Sequence, residues 1–148
     1  KNPADTYNED TNIYSYVKNK LQEGPLSCVL VDEAQFLTYA QVRDLARVAD
    51  QLDIPVLAYG LRTDFKGNLF PGSQYLLAWS EELVEIKTIC SCGRKATMNA
   101  RMNHAGGMVI AGDQVEIGGN DRYESMCRKC FMVKASQVEN MQMELIDA

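Results

Sequence analysis

The chain changes character at Cys90, and that change limits what it can fold into more than any other feature. Residues 90–130 hold four of the five cysteines and six of the ten glycines, with little apolar periodicity. Such a stretch cannot close a hydrophobic core of its own, so a second, small unit begins here and something besides apolar burial must hold it. Cys90-x-Cys92 and Cys127-x2-Cys130 form two pairs, which suits a closed tetrahedral site of four thiolates around a structural Zn2+. Metal binding would then supply much of that unit's folding free energy. Cys127-x2-Cys130 is a standard half-site. Cys90-x-Cys92 is one residue short, and in a regular strand its side chains would point to opposite faces, so a turn has to bring them together. The competing reading is a set of free cysteines, some buried as small hydrophobes.

Upstream of this point the pattern is that of an α/β domain. Ile13, Val17 and Leu21 recur at helical spacing, and Gly24-Pro25 ends that helix. Residues 26–31 are apolar apart from Ser27, and they read as a central parallel strand covered on both faces, with Cys28 in the core. Val42, Leu45, Ala49 and Leu52 mark an amphipathic helix with Thr38 as its N-cap, and residues 54–59 read as a second buried strand. Strand, helix and strand with short links make a βαβ unit. A loop follows over 62–73, then a helix over 74–83 and an alternating strand over 83–89; the tail, 132–148, is Met-rich and weakly helical. These readings give a partial α/β domain over 1–89, a zinc-holding segment over 90–131 and a C-terminal tail.

Charge narrows the partners. The net charge of −5, with no basic stripe, argues against a nucleic-acid partner. No apolar run approaches the roughly 18 residues of a membrane helix, and no signal sequence opens the chain, which reads as soluble, cytoplasmic and not membrane-bound. The single histidine, His104, excludes any mechanism that needs two.

Two motifs point to chemistry. In Val29-Leu30-Val31-Asp32-Glu33 an apolar strand delivers an acidic pair at its C-terminal end, as in a Walker B. There the first carboxylate can hold Mg2+ and the second can accept a proton from a hydroxyl. The bland reading is an acidic turn that caps the next helix. The partner motif, Gly-x4-Gly-Lys-[Ser/Thr], does not occur in the 148 residues, and the polar opening at Lys1 without a methionine suggests that the phosphate loop lies upstream. The second motif is aromatic. Phe65 and Phe70 lie in a polar, Gly-containing loop just after a sheet strand, a common position for ligand contacts, with Phe36 and Tyr123 as further candidates.

Taken together, Val29-Leu30-Val31-Asp32-Glu33-Ala34-Gln35-Phe36, Asp53-Ile54-Pro55-Val56, Tyr59-Gly60-Leu61-Arg62-Thr63-Asp64-Phe65, Ile117-Gly118-Gly119-Asn120-Asp121-Arg122-Tyr123 and Cys127-Arg128-Lys129-Cys130 resemble the thymidine kinase family shared by bacteria and the animal cytosol. The resemblance implies a RecA-like P-loop α/β core with a small zinc lasso domain, assembled as a homotetramer. It implies transfer of the ATP γ-phosphoryl group to the 5′-hydroxyl of thymidine with Mg2+, and feedback inhibition by dTTP. Glu33 would then be the general base and Asp32 the carboxylate near Mg2+. Phe36, Leu61, Phe65 and Phe70 would line the nucleoside pocket. Main-chain groups of Val115, Glu116, Ile117, Gly118 and Gly119 would bond the thymine edge, Tyr123 would contact the nucleoside, and Cys90, Cys92, Cys127 and Cys130 would hold zinc. Without the family's phosphate loop, these residues alone are expected to be inactive. The alternatives are a non-catalytic zinc-stapled module, a kinase remnant that binds nucleoside but not ATP, and a P-loop nucleic-acid ATPase, which the acidic balance disfavours.

Overall fold

The computed structural model describes residues 3–116 and 121–147. They divide into two units, one made of the described residues of Lys1–Arg62 with Leu69–Leu83, the other of Thr63–Asn68 with Val84–Ala148. The split places Phe65 with the cysteine-bearing unit, which nothing in the local sequence signals.

In the first unit α1 (Ile13–Glu23) starts at Asn12, whose side chain accepts from Ser15 N–H at 2.9 Å. Then come β1 (Val29–Val31), a short helical turn (Ala34–Phe36), α2 (Tyr39–Gln51), β2 (Val56–Ala58) and α3 (Pro71–Trp79). Strands β1 and β2 pair in parallel with Val31 opposite Ala58, so the expected βαβ unit is present. Thr38 caps α2 through a full capping box with Gln41, as its position before the apolar stripe predicted. The amide of Gln41 also donates to the carbonyls of Asn8 (2.6 Å) and Thr11 (3.1 Å), which ties the polar opening to this helix.

The core gathers Ile13 and Val17 of α1, Val31 of β1, Val42, Leu45 and Val48 of α2, and Ile54. Burying aliphatic side chains of this size is worth about 1.5–3 kcal/mol each. The expectation of strands covered on both faces is corrected. Leu30 is 64% exposed and Leu57 is also exposed, whereas Val31 is buried. Side chains alternate along a strand, and among the described residues only one face of this pair is packed. Cys28 is exposed for the same reason and is not a core residue. The strands are also shorter than the apolar runs that carry them.

The second unit is antiparallel. Strands β3 (Thr88–Ile89) and β4 (Lys95–Ala96) form a hairpin. The longer β5 (Met98–Met102) lies between β6 (Met108–Val109) and β7 (Arg122–Met126). The 20-residue helix α4 (Arg128–Asp147) follows β7, a stronger helix than its sequence suggested. A small core of Ala100, Met102, Met108, Met126 and Phe131 packs with Cys90 and Cys127. The strand expected over 83–89 is present only at Thr88–Ile89. Val84 and Ile86 alternate but are exposed, since alternation needs a partner strand to become a ladder. The preceding helix likewise ends at Trp79 rather than reaching Leu83.

Candidate active site and cysteine cluster

Asp32 and Glu33 follow β1 directly, at the C-terminal end of the parallel pair, and both are exposed. The backbone pins the turn: Tyr59 N–H donates to Val31 C=O and Ala34 N–H to Tyr59 C=O, each at 2.8 Å. Glu33 sits in the left-handed region (φ 51°, ψ 39°), which costs a non-glycine residue on the order of 1 kcal/mol or more. Two contacts hold it there. Asp32 Oδ1 accepts from Glu33 N–H at 2.8 Å, and the Tyr7 hydroxyl donates to the carbonyls of Glu33 (2.9 Å) and Asp32 (3.3 Å). Burial, reinforced by the charges of Glu33 and Asp32, holds the Tyr7 phenol above its usual range, so it stays a neutral donor. The Glu33 side chain does not cap the helical turn that follows, contrary to the bland reading of the acidic pair. It accepts a hydrogen bond from the Gln35 side-chain amide instead.

Three more expected residues lie on this unit. Phe36 is exposed and meets the buried Phe70 edge-on, with ring centroids 5.7 Å apart. Leu61 is exposed, and its backbone is held from both ends: its N–H donates to Gln35 Oε1 at 3.2 Å, and its C=O accepts from Ser73 Oγ at 2.5 Å.

Phe65, Val115, Glu116 and Tyr123 belong to the second unit, while Ile117, Gly118 and Gly119 lie outside the described residues. Here sequence reading missed the organising residue, Arg101. Its neighbours Ala100 and Met102 face the small core, so alternation turns Arg101 to the other side of β5, where it is nonetheless 2% exposed. Its guanidinium lies 3.7 Å from the centroid of the Phe65 ring. Nε donates to Tyr123 Oη at 3.0 Å, across the strand register that sets the two residues opposite each other. Nη1 and Nη2 donate to the carbonyls of Asp113 (3.1 Å) and Gln114 (3.2 Å). The exposed Glu116 carboxylate comes to 3.9 Å of Nη1. One buried cation therefore joins Phe65, Tyr123 and the loop entering residues 115–119. The buried Asp64 carboxylate adds a second tie, accepting from the N–H groups of Lys66 and Asn68 and from Gln114 Nε2, each at 2.9 Å. A lone arginine among apolar strand residues was the signal available for this site.

The four cysteines converge. The Sγ atoms of Cys90, Cys92, Cys127 and Cys130 all lie within 4.8 Å of one another. A tight turn answers the short Cys90-x-Cys92 spacing: Gly93 N–H donates to Cys90 C=O (2.8 Å) and Cys90 N–H to Arg94 C=O (2.7 Å). Cys92 Sγ and Cys127 Sγ are 3.6 Å apart, and Cys127 Sγ accepts from Cys130 N–H in the first turn of α4. Zn–S bonds of about 2.3 Å give a tetrahedron with S···S edges of about 3.8 Å, so the cluster fits a Zn2+ ion. Hydrogen bonds from the backbone N–H groups of Cys127 and Cys92 draw the Cys90 thiol down to about 6. The Cys130 N–H likewise lowers Cys127, while the neighbouring Cys127 and Cys92 sulfurs push Cys130 up to about 12. The cluster therefore does not ionise uniformly, and a cation is what would allow four thiolates together.

A family model described as thymidine kinase matches residues 1–131. The chain belongs to the thymidine kinase family. It is 54% identical over 143 residues to the thymidine kinase of Rhodopirellula baltica, a match covering 97% of this chain and 68% of the relative. It is 55% identical over 139 residues to that of Escherichia coli strain K12, covering 94% and 67%. With the thymidine kinase of Coxiella burnetii the identity is 59% over 124 residues, covering 83% and 63%. The chain thus spans about two thirds of the length of these curated relatives. The family is one of kinases, and thymidine phosphorylation is the function that membership supports. Among the described residues no helix is long and apolar enough to cross a membrane.

Proposed function

We propose that this chain carries the nucleoside-phosphorylating chemistry of a thymidine kinase: transfer of the ATP γ-phosphoryl group to the 5′-hydroxyl of thymidine, giving dTMP. The observation that carries the reading is Glu33. It is an exposed carboxylate at the end of a parallel strand, held in a strained conformation and oriented by Gln35, in a chain of this family. Glu33 takes the 5′-hydroxyl proton as the oxygen attacks the γ-phosphorus; the bond from that phosphorus to the β,γ-bridging oxygen breaks and ADP leaves with its electron pair. Phosphoryl transfer asks mainly for positioning and neutralised charge, so a base, a cation and a shaped slot suffice. Asp32 would hold Mg2+, directly or through water, and the ion would neutralise phosphate charge.

On the first unit Phe36, Leu61 and Phe70 would meet the nucleoside. On the second, Phe65, Tyr123 and main-chain groups of residues 115–119 would hold the thymine. Cys90, Cys92, Cys127 and Cys130 would hold a structural Zn2+ in a lasso domain over 90–131, leaving the tail for packing or partner contacts. The same reading includes a RecA-like P-loop core, a cytoplasmic homotetramer and feedback inhibition by dTTP.

The test is product analysis of the full-length protein with ATP, Mg2+ and thymidine, with an intact mass from the same sample. Formation of dTMP that requires both substrates supports the reading. ATP hydrolysis without dTMP, stimulated by nucleic acid, would replace it with an ATPase.

A further inference from the structure

We propose that Gln35 is the positioning residue of this site, clamping one oxygen of Glu33 so that the other accepts the substrate proton. The proposal rests on Glu33 being the base. Gln35 is only 1% exposed although its neighbours Glu33 and Phe36 lie at the surface. Both ends of its amide are in use. Oε1 accepts from Leu61 N–H at 3.2 Å, and Nε2 donates to Glu33 Oε2. A backbone N–H can only donate, so the amide oxygen must face Leu61 and the NH2 must face Glu33. The orientation is therefore set by the chain. A donor aimed at a carboxylate is a strong, directional contact, and here it leaves Glu33 Oε1 without a partner among the described hydrogen bonds.

The surroundings are shaped to this side chain. A Cβ at Gly60 would lie 2.6 Å from Gln35 Oε1 and 2.8 Å from its backbone N, and one at Gly72 would lie 2.6 Å from the Gln35 carbonyl oxygen. Both glycines allow a close backbone approach that fixes the amide. A residue needed only to fill volume would ask for no amide. This one links the Glu33 carboxylate to the backbone of Leu61, a second residue of the same site.

The test is a double-mutant cycle on kcat and KM for thymidine in the full-length protein, using Glu33→Gln, Gln35→Met and both together. Gln35→Met fills the volume and removes both hydrogen bonds. It should lower kcat about 10- to 100-fold with KM within about threefold, the cost of a misplaced reacting group. In the Glu33→Gln background it should cost less than about threefold more, because its effect passes through Glu33. Gln35→Glu keeps an acceptor for Leu61 N–H but sets a carboxylate against Glu33, and its kcat should fall as far. A Gln35→Met loss that multiplies in full on Glu33→Gln, or no loss at all, overturns the proposal while leaving the base assignment standing. An unchanged kcat in Glu33→Gln removes the base itself, and Gln35 with it. A second measurement needs no turnover. In the 15N-labelled chain the Gln35 NH2 should give a displaced, slowly exchanging pair of resonances that moves in Glu33→Gln. A pair at the position of a free amide overturns the proposal whatever the kinetics.

Discussion

The two units are built on different physics. The first packs aliphatic side chains of α1 and α2 against one face of a parallel pair. The second has short antiparallel strands, a core made largely of methionine, and two polar centres, the cysteine cluster and Arg101. The Asp32 and Glu33 carboxylates stand on the unit held by apolar burial, and the loop at residues 113–116 is held by directional bonds. Apolar burial tolerates small changes in proportion to the area lost, whereas a metal cluster or a buried cation fails when one partner is removed.

That difference can be broken most completely at the cysteines. Structural Zn2+ is worth about 10–16 kcal/mol in small zinc domains, more than many whole folds can lose. Cys127→Ser should therefore abolish metal binding and the amide protection of β5 and β7, while α1 and α2 keep theirs in hydrogen exchange. Protons should do the same. Cys90 sits below its ordinary range, so its thiolate contributes above that range and is lost as the pH falls through about 6. Metal content after dialysis should hold at pH 8 and fall below pH 6; a metal content that does not depend on pH would contradict this.

The comparison sharpens with substitutions that touch one unit only. Leu45→Ala should cost about 2–5 kcal/mol in the unfolding of the first unit and leave zinc content unchanged, checked by denaturant titration with metal analysis. Arg101→Met should cost roughly 1–3 kcal/mol through the charge-assisted hydrogen bonds it removes, with faster exchange at residues 113–116. If exchange there stayed as slow as in the parent, Asp64 rather than Arg101 would be the main tie.

What was legible from the sequence follows the same division. Spacing and caps exposed the βαβ unit, because the Val42–Leu45 stripe and Thr38 act locally. The cysteine cluster was legible from its pairs, and the turn that reconciles Cys90 with Cys92 is the one the spacing required. Exposure was not legible. Leu30 and Cys28 lie in an apolar run whose outer face is exposed among the described residues, and a run records hydrophobicity without saying which faces are packed. Val84 and Ile86 alternate, but among the described residues no strand pairs with them. Gln35, Arg101 and Tyr7 escaped because their roles come from contacts across 26, 22 and 26 positions, to Leu61, Tyr123 and Glu33 respectively. No local pattern announces such partners.

The most direct test of the account is metal analysis coupled to hydrogen exchange before and after chelation. We expect about one zinc per chain and, on its removal, loss of protection in β3–β7 with α1, α2 and β1 unchanged. A metal-free sample with the same protection in β5 and β7 would contradict the account, because the second unit would then stand on its small core alone.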